Sequence, residues 1–115
     1  MERETSYLLD MLTAIQLIQD YTSHKTQQDL EKDQLLQDAV TRRIEILGEA
    51  ARRISEKTRS EIPDIAWHQI IGMRNILAHE YDDIDLDVVW RVIQKELPKL
   101  IPILEREIAT RTDSK

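Results

Sequence analysis

The chain has 115 residues, 41% of them hydrophobic and 33% charged, with a net charge of −6 and no cysteine. That much chain makes one domain, able to hide roughly two-thirds of its unfolded surface around a single core, and its apolar content excludes a disordered polymer. The missing cysteine excludes disulfides and thiolate metal sites and suits a reducing, cytoplasmic setting. The acidity argues against broad, nonspecific nucleic-acid binding, though not against a small local basic site.

The N-terminus Met1-Glu2-Arg3-Glu4 is acidic and leads straight into an amphipathic pattern, unlike a signal peptide. No apolar run approaches the ~20 residues of a membrane span, so no membrane partner is expected. Only two Gly and three Pro interrupt a chain dominated by Leu, Ile, Ala, Glu, Gln, Lys and Arg, mostly strong helix formers. An all-α fold is predicted: an up-and-down bundle of four main helices with mostly antiparallel neighbours and a kinked last helix, in one domain over residues 1–115.

The first helix is read from about Glu2 to Tyr21, with Tyr7, Leu8, Met11, Leu12, Ile15 and Ile18 at helical spacing. Thr22 to Lys25 is a loop that carries His24, and Thr26-Gln27-Gln28-Asp29 resembles the capped start of a short helical turn. Asp33 caps the main second helix, read to about Lys57, whose stripe is Leu36, Val40, Ile44, Leu47, Ala51 and Ile54. Arg42, Glu45, Glu49, Arg52 and Arg53 lie off that stripe, as a solvated face of ion pairs or, in the sharper reading, with Glu49 or a nearby Arg beside Arg74. Gly48 inside this helix costs about 1 kcal/mol relative to Ala and marks a place where another helix could cross closely.

Arg59 to Asp64 reads as a linker, and Pro63 or Asp64 as the start of a third helix, where Pro fits the first turn. Trp67 belongs to the core or an interface and His68 to the surface. In this helix Ala66, Ile70, Met73 and Leu77 share a stripe, and Arg74 and Tyr81 fall within or beside it. His79 sits about 140° around the same helix from Arg74. The two can converge only if the helix unwinds near His79, or if a second copy of the chain supplies the other half of the site. The helix is expected to fray between His79 and Asp83.

Asp85 caps the last helix, with the stripe Leu86, Val89, Ile93, Leu97, Leu100, Leu104 and Ile108. Pro98 removes a donor and predicts a kink or break near Leu97, and Pro102 repeats the effect four residues on. Residues 109–115 read as a polar, frayed tail.

No glycine-rich phosphate loop, nucleophile motif or metal-ligand cluster is visible, so neither a metal nor another cofactor is expected. Arg74 and His79 suit phosphodiester chemistry. Arg holds a phosphate through two parallel hydrogen bonds and offsets transition-state charge, while His passes protons near neutral pH. RNA brings its own nucleophile, the 2′-hydroxyl.

Arg74-Asn75, three residues, His79, one residue, then Tyr81 resembles the motif of HEPN-domain ribonucleases, in the version found in HepT toxins of HepT–MntA toxin–antitoxin pairs. Residues 39–51, 62–75 and 85–90 also resemble that family's blocks, so the likeness covers roughly Tyr7 to Ile108. It implies a HEPN-like helical bundle forming a homodimer, with Arg and His of both chains lining one cleft. It also implies metal-independent cleavage of RNA, with Arg74 and His79 catalytic and Asn75 supporting them; Glu49, placed beside Arg74 by the sharper reading of the second helix, is the other supporting candidate. The partner implied is a cognate minimal nucleotidyltransferase antitoxin that adds AMP to Tyr81 and silences the toxin, acting on the homodimer or in a higher assembly with it. The family often has Gly after the His, whereas this chain has Glu80, a carboxylate able to pair with Arg74 or repel RNA phosphates. The alternative class is a non-catalytic helical subunit that binds substrate for, or regulates, a nucleotidyltransferase. Retention of Arg74, His79 and Tyr81 together favours the nuclease; the net charge and Glu80 favour the alternative.

Overall fold

The computed structural model describes residues 2–79 and 85–113, and the side chains of all of these except 74–79 and 113. Among the described residues every regular element is helical: α1 (Arg3–Thr22), α2 (Gln27–Lys32), α3 (Gln34–Arg53), α4 (Glu56–Glu61), α5 (Trp67–His79), α6 (Leu86–Arg91), a π-helical turn (Val92–Glu96) and α7 (Leu97–Asp113). The four main helices are α1, α3, α5 and the run from α6 through α7. The protein is therefore an all-α helical bundle. α1 and α3 form its centre; α7 packs on α1, and α5 packs on α3.

The apolar stripes account for the core. Leu8, Met11, Leu12, Ile15 and Ile18 of α1 meet Leu36, Val40, Ile44, Leu47 and Ala51 of α3, joined by Ile93, Leu97, Leu100 and Leu104 from the last helix. Each fully buried Leu or Ile contributes roughly 1.5–3 kcal/mol over an exposed one. The short α2 starts with a capping box: Thr26 accepts from the Asp29 N–H, and the Asp29 carboxylate takes the Thr26 N–H at 2.8 Å. Asp33 caps α3 by accepting from the Leu36 N–H at 3.1 Å. His24 turns the chain after α1 with φ of 61°, the left-handed region usually left to Gly or Asn.

Several boundaries differ from the sequence reading. α3 ends at Arg53 rather than near Lys57, because Ser55 begins a new helix by accepting from the Thr58 N–H. The stretch read as a linker from Arg59 instead completes α4 and then makes a tight turn, with Ile62 and Ile65 buried at 1% and 3% exposure. α5 consequently starts at Trp67 rather than at Pro63 or Asp64; Ala66 is exposed, while Trp67 and Ile70 are buried.

In the last helix the disturbance before Pro98 takes the form of the π turn, closed by the Leu97 N–H donating to the Val92 carbonyl. Pro102 causes no break: α7 runs through it, and Pro98 and Pro102 both lie on the exposed side, where an unmatched carbonyl can meet water. Residues 109–113 are helical rather than frayed, because Arg111 is anchored to Glu2 and Glu61.

Candidate functional site

The segment carrying Arg74 and His79 is positioned from its N-terminal end. Trp67 turns its indole inward and donates from Nε1 to the Ile62 carbonyl at 3.1 Å. The Trp67 N–H meets the Ile65 carbonyl at 3.0 Å, and the Ile65 N–H meets the Ile62 carbonyl at 3.3 Å. Ile62, Ile65 and Trp67 are all buried, so the turn is held by packing as well as by hydrogen bonds. From there α5 lies along α3, burying Ile70 and half-burying Ile71 and Met73. Gly72, two residues before Arg74, has nothing within 4 Å of where a Cβ would stand.

Arg74, Asn75 and His79 all lie on the helical backbone of α5, and His79 is its last described residue. The helix is continuous between Arg74 and His79, two positions about 140° apart around an α-helix and about 7.5 Å apart along it. The side chains of these three residues, the whole of Glu80 and Tyr81, and the expected fraying up to Asp83 lie outside the described residues. After them, Asp85 caps α6 by accepting from the Asp87 and Val88 N–H groups at 3.1 and 3.3 Å.

Glu49 is half-buried on α3, with Arg52 donating to it at 3.2 Å. It borders a groove of about 370 Å3 between α1 and α3, lined also by Tyr7, Asp10, Arg42 and Arg53. A second groove of about 540 Å3 opens between α4 and the start of α5, lined by Arg59, Ser60, His68 and Gln69 among others. Arg59 is committed to the backbone: its Nη2 donates to the carbonyls of Ala51 and Arg52 at 3.4 and 3.0 Å, capping the C-terminal end of α3. His68 and His24 are exposed. Among the described residues no group of three His, Asp or Glu side chains is placed to hold a metal ion, and no helix is long and apolar enough to cross a membrane.

A polar junction not foreseen from sequence spacing sits where α1 begins, α7 ends and α4 lies between them. Arg111 donates to Glu61 at 2.7 Å and to Glu2 at 3.2 Å. Beside it, Glu4 accepts from the Ser55 N–H at 2.9 Å and the Thr58 hydroxyl at 3.0 Å. Burial works to raise the Glu4 carboxyl, but the hydrogen bonds from Ser55 and Thr58 and the nearby Arg111 outweigh it and hold Glu4 below the usual glutamate range. These partners are 50 to 109 residues apart in sequence, so no local spacing signal could reveal them.

Known proteins place this chain by sequence. The family model for HepT-like proteins, described as Ribonuclease HepT-like, matches residues 11–107. A "Probable ribonuclease HepT" from Thermococcus cleftensis is 35% identical over 94 residues, covering 82% of this chain and 86% of that protein. A "Gamma-glutamylcyclotransferase and putative RNase" from Methanocaldococcus jannaschii is 43% identical over 94 residues, 82% of this chain; the match spans only 42% of that longer protein. No solved structure matches. With the family model spanning residues 11–107, most of the chain, the protein belongs to the HepT-like ribonuclease family.

Proposed function

We propose that this chain is the toxin of a toxin–antitoxin pair, an endoribonuclease that cuts RNA without a metal ion through a composite site at a homodimer interface. The observation that carries the shared site is the unbroken helix between Arg74 and His79. With no unwinding between them, the two positions point to different sides of α5, and a two-fold pairing brings an Arg and a His from different chains into one cleft. Gly72, open to space on the same helix, lets another backbone approach closely.

The chemistry follows from the groups. Arg74 binds the non-bridging oxygens of the scissile phosphate and offsets the charge that grows on them. His79 takes the proton of the 2′-hydroxyl as its oxygen attacks phosphorus; the P–O5′ bond breaks, and the 5′-oxygen leaves with a proton from a protonated His or from water. The products are a 2′,3′-cyclic phosphate and a 5′-hydroxyl. Asn75 and Glu49 support the cleft.

Tyr81 is the switch. A partner minimal nucleotidyltransferase transfers AMP from ATP to its phenolic oxygen, with loss of the phenolic proton and release of pyrophosphate, and the phosphate then competes for Arg74 while the added base fills the cleft mouth. Glu80 and the net charge of −6 favour the second reading, a non-catalytic subunit of a nucleotidyltransferase.

The deciding experiment is cleavage of a defined RNA by the wild-type chain in EDTA, beside Arg74→Ala and His79→Ala, with sedimentation in parallel. Cleavage that survives EDTA and disappears in both variants of a dimeric protein supports the nuclease. No cleavage by the wild type supports the binding subunit. Co-expression with a cognate nucleotidyltransferase should add the mass of AMP to the Tyr81 peptide; neutralisation without that mass, or equal neutralisation of Tyr81→Phe, removes Tyr81 as the switch.

A further inference from the structure

We propose that Arg111 is a positioning residue for cleavage, setting the placement of α5 through α4 from the far end of the chain. The inference rests on the reading that Arg74 and His79 of α5 act on RNA. Among the long helices α5 packs chiefly on α3, while its start is tied separately to what precedes it in the chain. The second restraint is α4 and the turn that follows it. Glu61, the last residue of α4, receives Arg111 at 2.7 Å; the next residue, Ile62, offers the carbonyl that holds the Trp67 indole at 3.1 Å. Trp67 is the first residue of α5.

Arg111 also holds Glu2 at 3.2 Å, and Glu4 caps α4 through Ser55 and Thr58, so α4 is tied to both α1 and α7. The Arg111 side chain is 18% exposed and that of Glu61 47%, so the guanidinium is held in place by packing while the carboxylate stays in reach of water. A shift of α4 is passed to Trp67 and, because a helix moves as a rigid rod, to Arg74 about 10 Å further along the axis.

The test uses the full chain with Trp90→Phe, so that Trp67 is its only tryptophan. Arg111→Ala, Arg111→Lys and Glu61→Gln are compared at a temperature where circular dichroism shows each fully folded. Two readouts are taken: Trp67 emission, and kcat and KM on a defined RNA, with His79→Ala as the blank. Arg111→Ala and Glu61→Gln should each shift Trp67 emission and lower kcat about fivefold or more with KM within twofold. Arg111→Lys should recover much of kcat. The double variant Arg111→Ala/Glu61→Gln should be no worse than either single one. Should Arg111→Ala fail to fold, Glu61→Gln, which keeps the side chain's shape, carries both readouts.

Unchanged Trp67 emission, or a kcat loss no larger than the unfolded fraction explains, overturns the proposal. A failure of the catalytic reading shows differently: His79→Ala then cleaves as well as wild type while Trp67 emission still shifts in Arg111→Ala.

Discussion

The central pair α1 and α3 and the flanking helix α5 are built in opposite ways. α1 and α3 meet through long runs of fully buried Leu, Ile, Val and Ala, so each residue restrains its neighbours and the pair is over-determined. α5 has one long neighbour, buries Trp67 and Ile70, half-buries Ile71 and Met73, and depends at its start on an indole hydrogen bond and a polar corner. The difference teaches where this ribonuclease keeps its adjustable part. The scaffold is fastened by buried area; the helix bearing Arg74 and His79 is fastened by area against α3 and, at its start, by a few directional contacts.

The largest test of that contrast is in stability. Leu47→Ala, at a position with 0% exposure on α3, should cost about 3 kcal/mol in urea unfolding, within the usual 2–5 for a buried Leu. Ile71→Ala on α5 should cost about 1 kcal/mol or less while its face is half-open. Equal costs would mean that α5 is covered as fully as α3, which in solution requires a second copy.

Next in size is activity. Arg74→Ala and His79→Ala should each lower cleavage on the order of a hundredfold or more, with the urea midpoint little moved. A large loss of stability in either would place that residue in the fold rather than in the reaction.

Gly72→Ala should raise the thermal stability of the monomer by roughly 0.5–1 kcal/mol, since Ala suits a helix better than Gly and the added methyl group meets nothing within 4 Å. If the same substitution weakens dimerisation measured by sedimentation, the second copy lies on that face.

The smallest effect expected is on acid stability. The Glu4 carboxyl is held below its ordinary value of 4.5, so its contribution is complete above that pH and is lost as pH falls through the lower folded value. Glu4→Gln should therefore flatten the loss of stability below about pH 4.5, and an unchanged acid limb would show that other carboxylates govern it.

Much of the fold was legible because the major helices follow the 3.6-residue rule without conflict. The α3 stripe from Leu36 to Ile54 was read position by position, and all six residues are buried. The caps at Thr26, Asp33 and Asp85 were legible because they are local hydrogen bonds with fixed spacing. The end of α3 was not, since Ser55 could equally have continued a helix; its local cap on the Thr58 N–H is joined by a bond from its own N–H to Glu4, 51 residues away. Ile62 and Ile65 looked like linker residues because a turn has no period, and only the tertiary fold shows that they are buried. For the candidate site, the apolar spacing placed the backbone of Arg74 and His79 on one helix, as found. The motif is silent about what fixes that helix, because Arg111, Glu61 and Glu2 are joined only by the closing of the bundle.

The π turn at Val92–Glu96 has a meaning for how such chains can change length. A single π turn is in effect one extra residue lodged in an α-helix, which the last helix absorbs without losing its buried face: Val89 before it, Ile93 within it, and Leu97, Leu100 and Leu104 after it are all buried in the core. Removing exposed Gln94 together with Pro98→Ala should let the turn close to a plain α-helix while both ends keep their present orientation. Relatives one residue shorter in this helix can therefore share its core and its end-to-end direction. The natural place to set the alignment gap between them is the turn ahead of the proline.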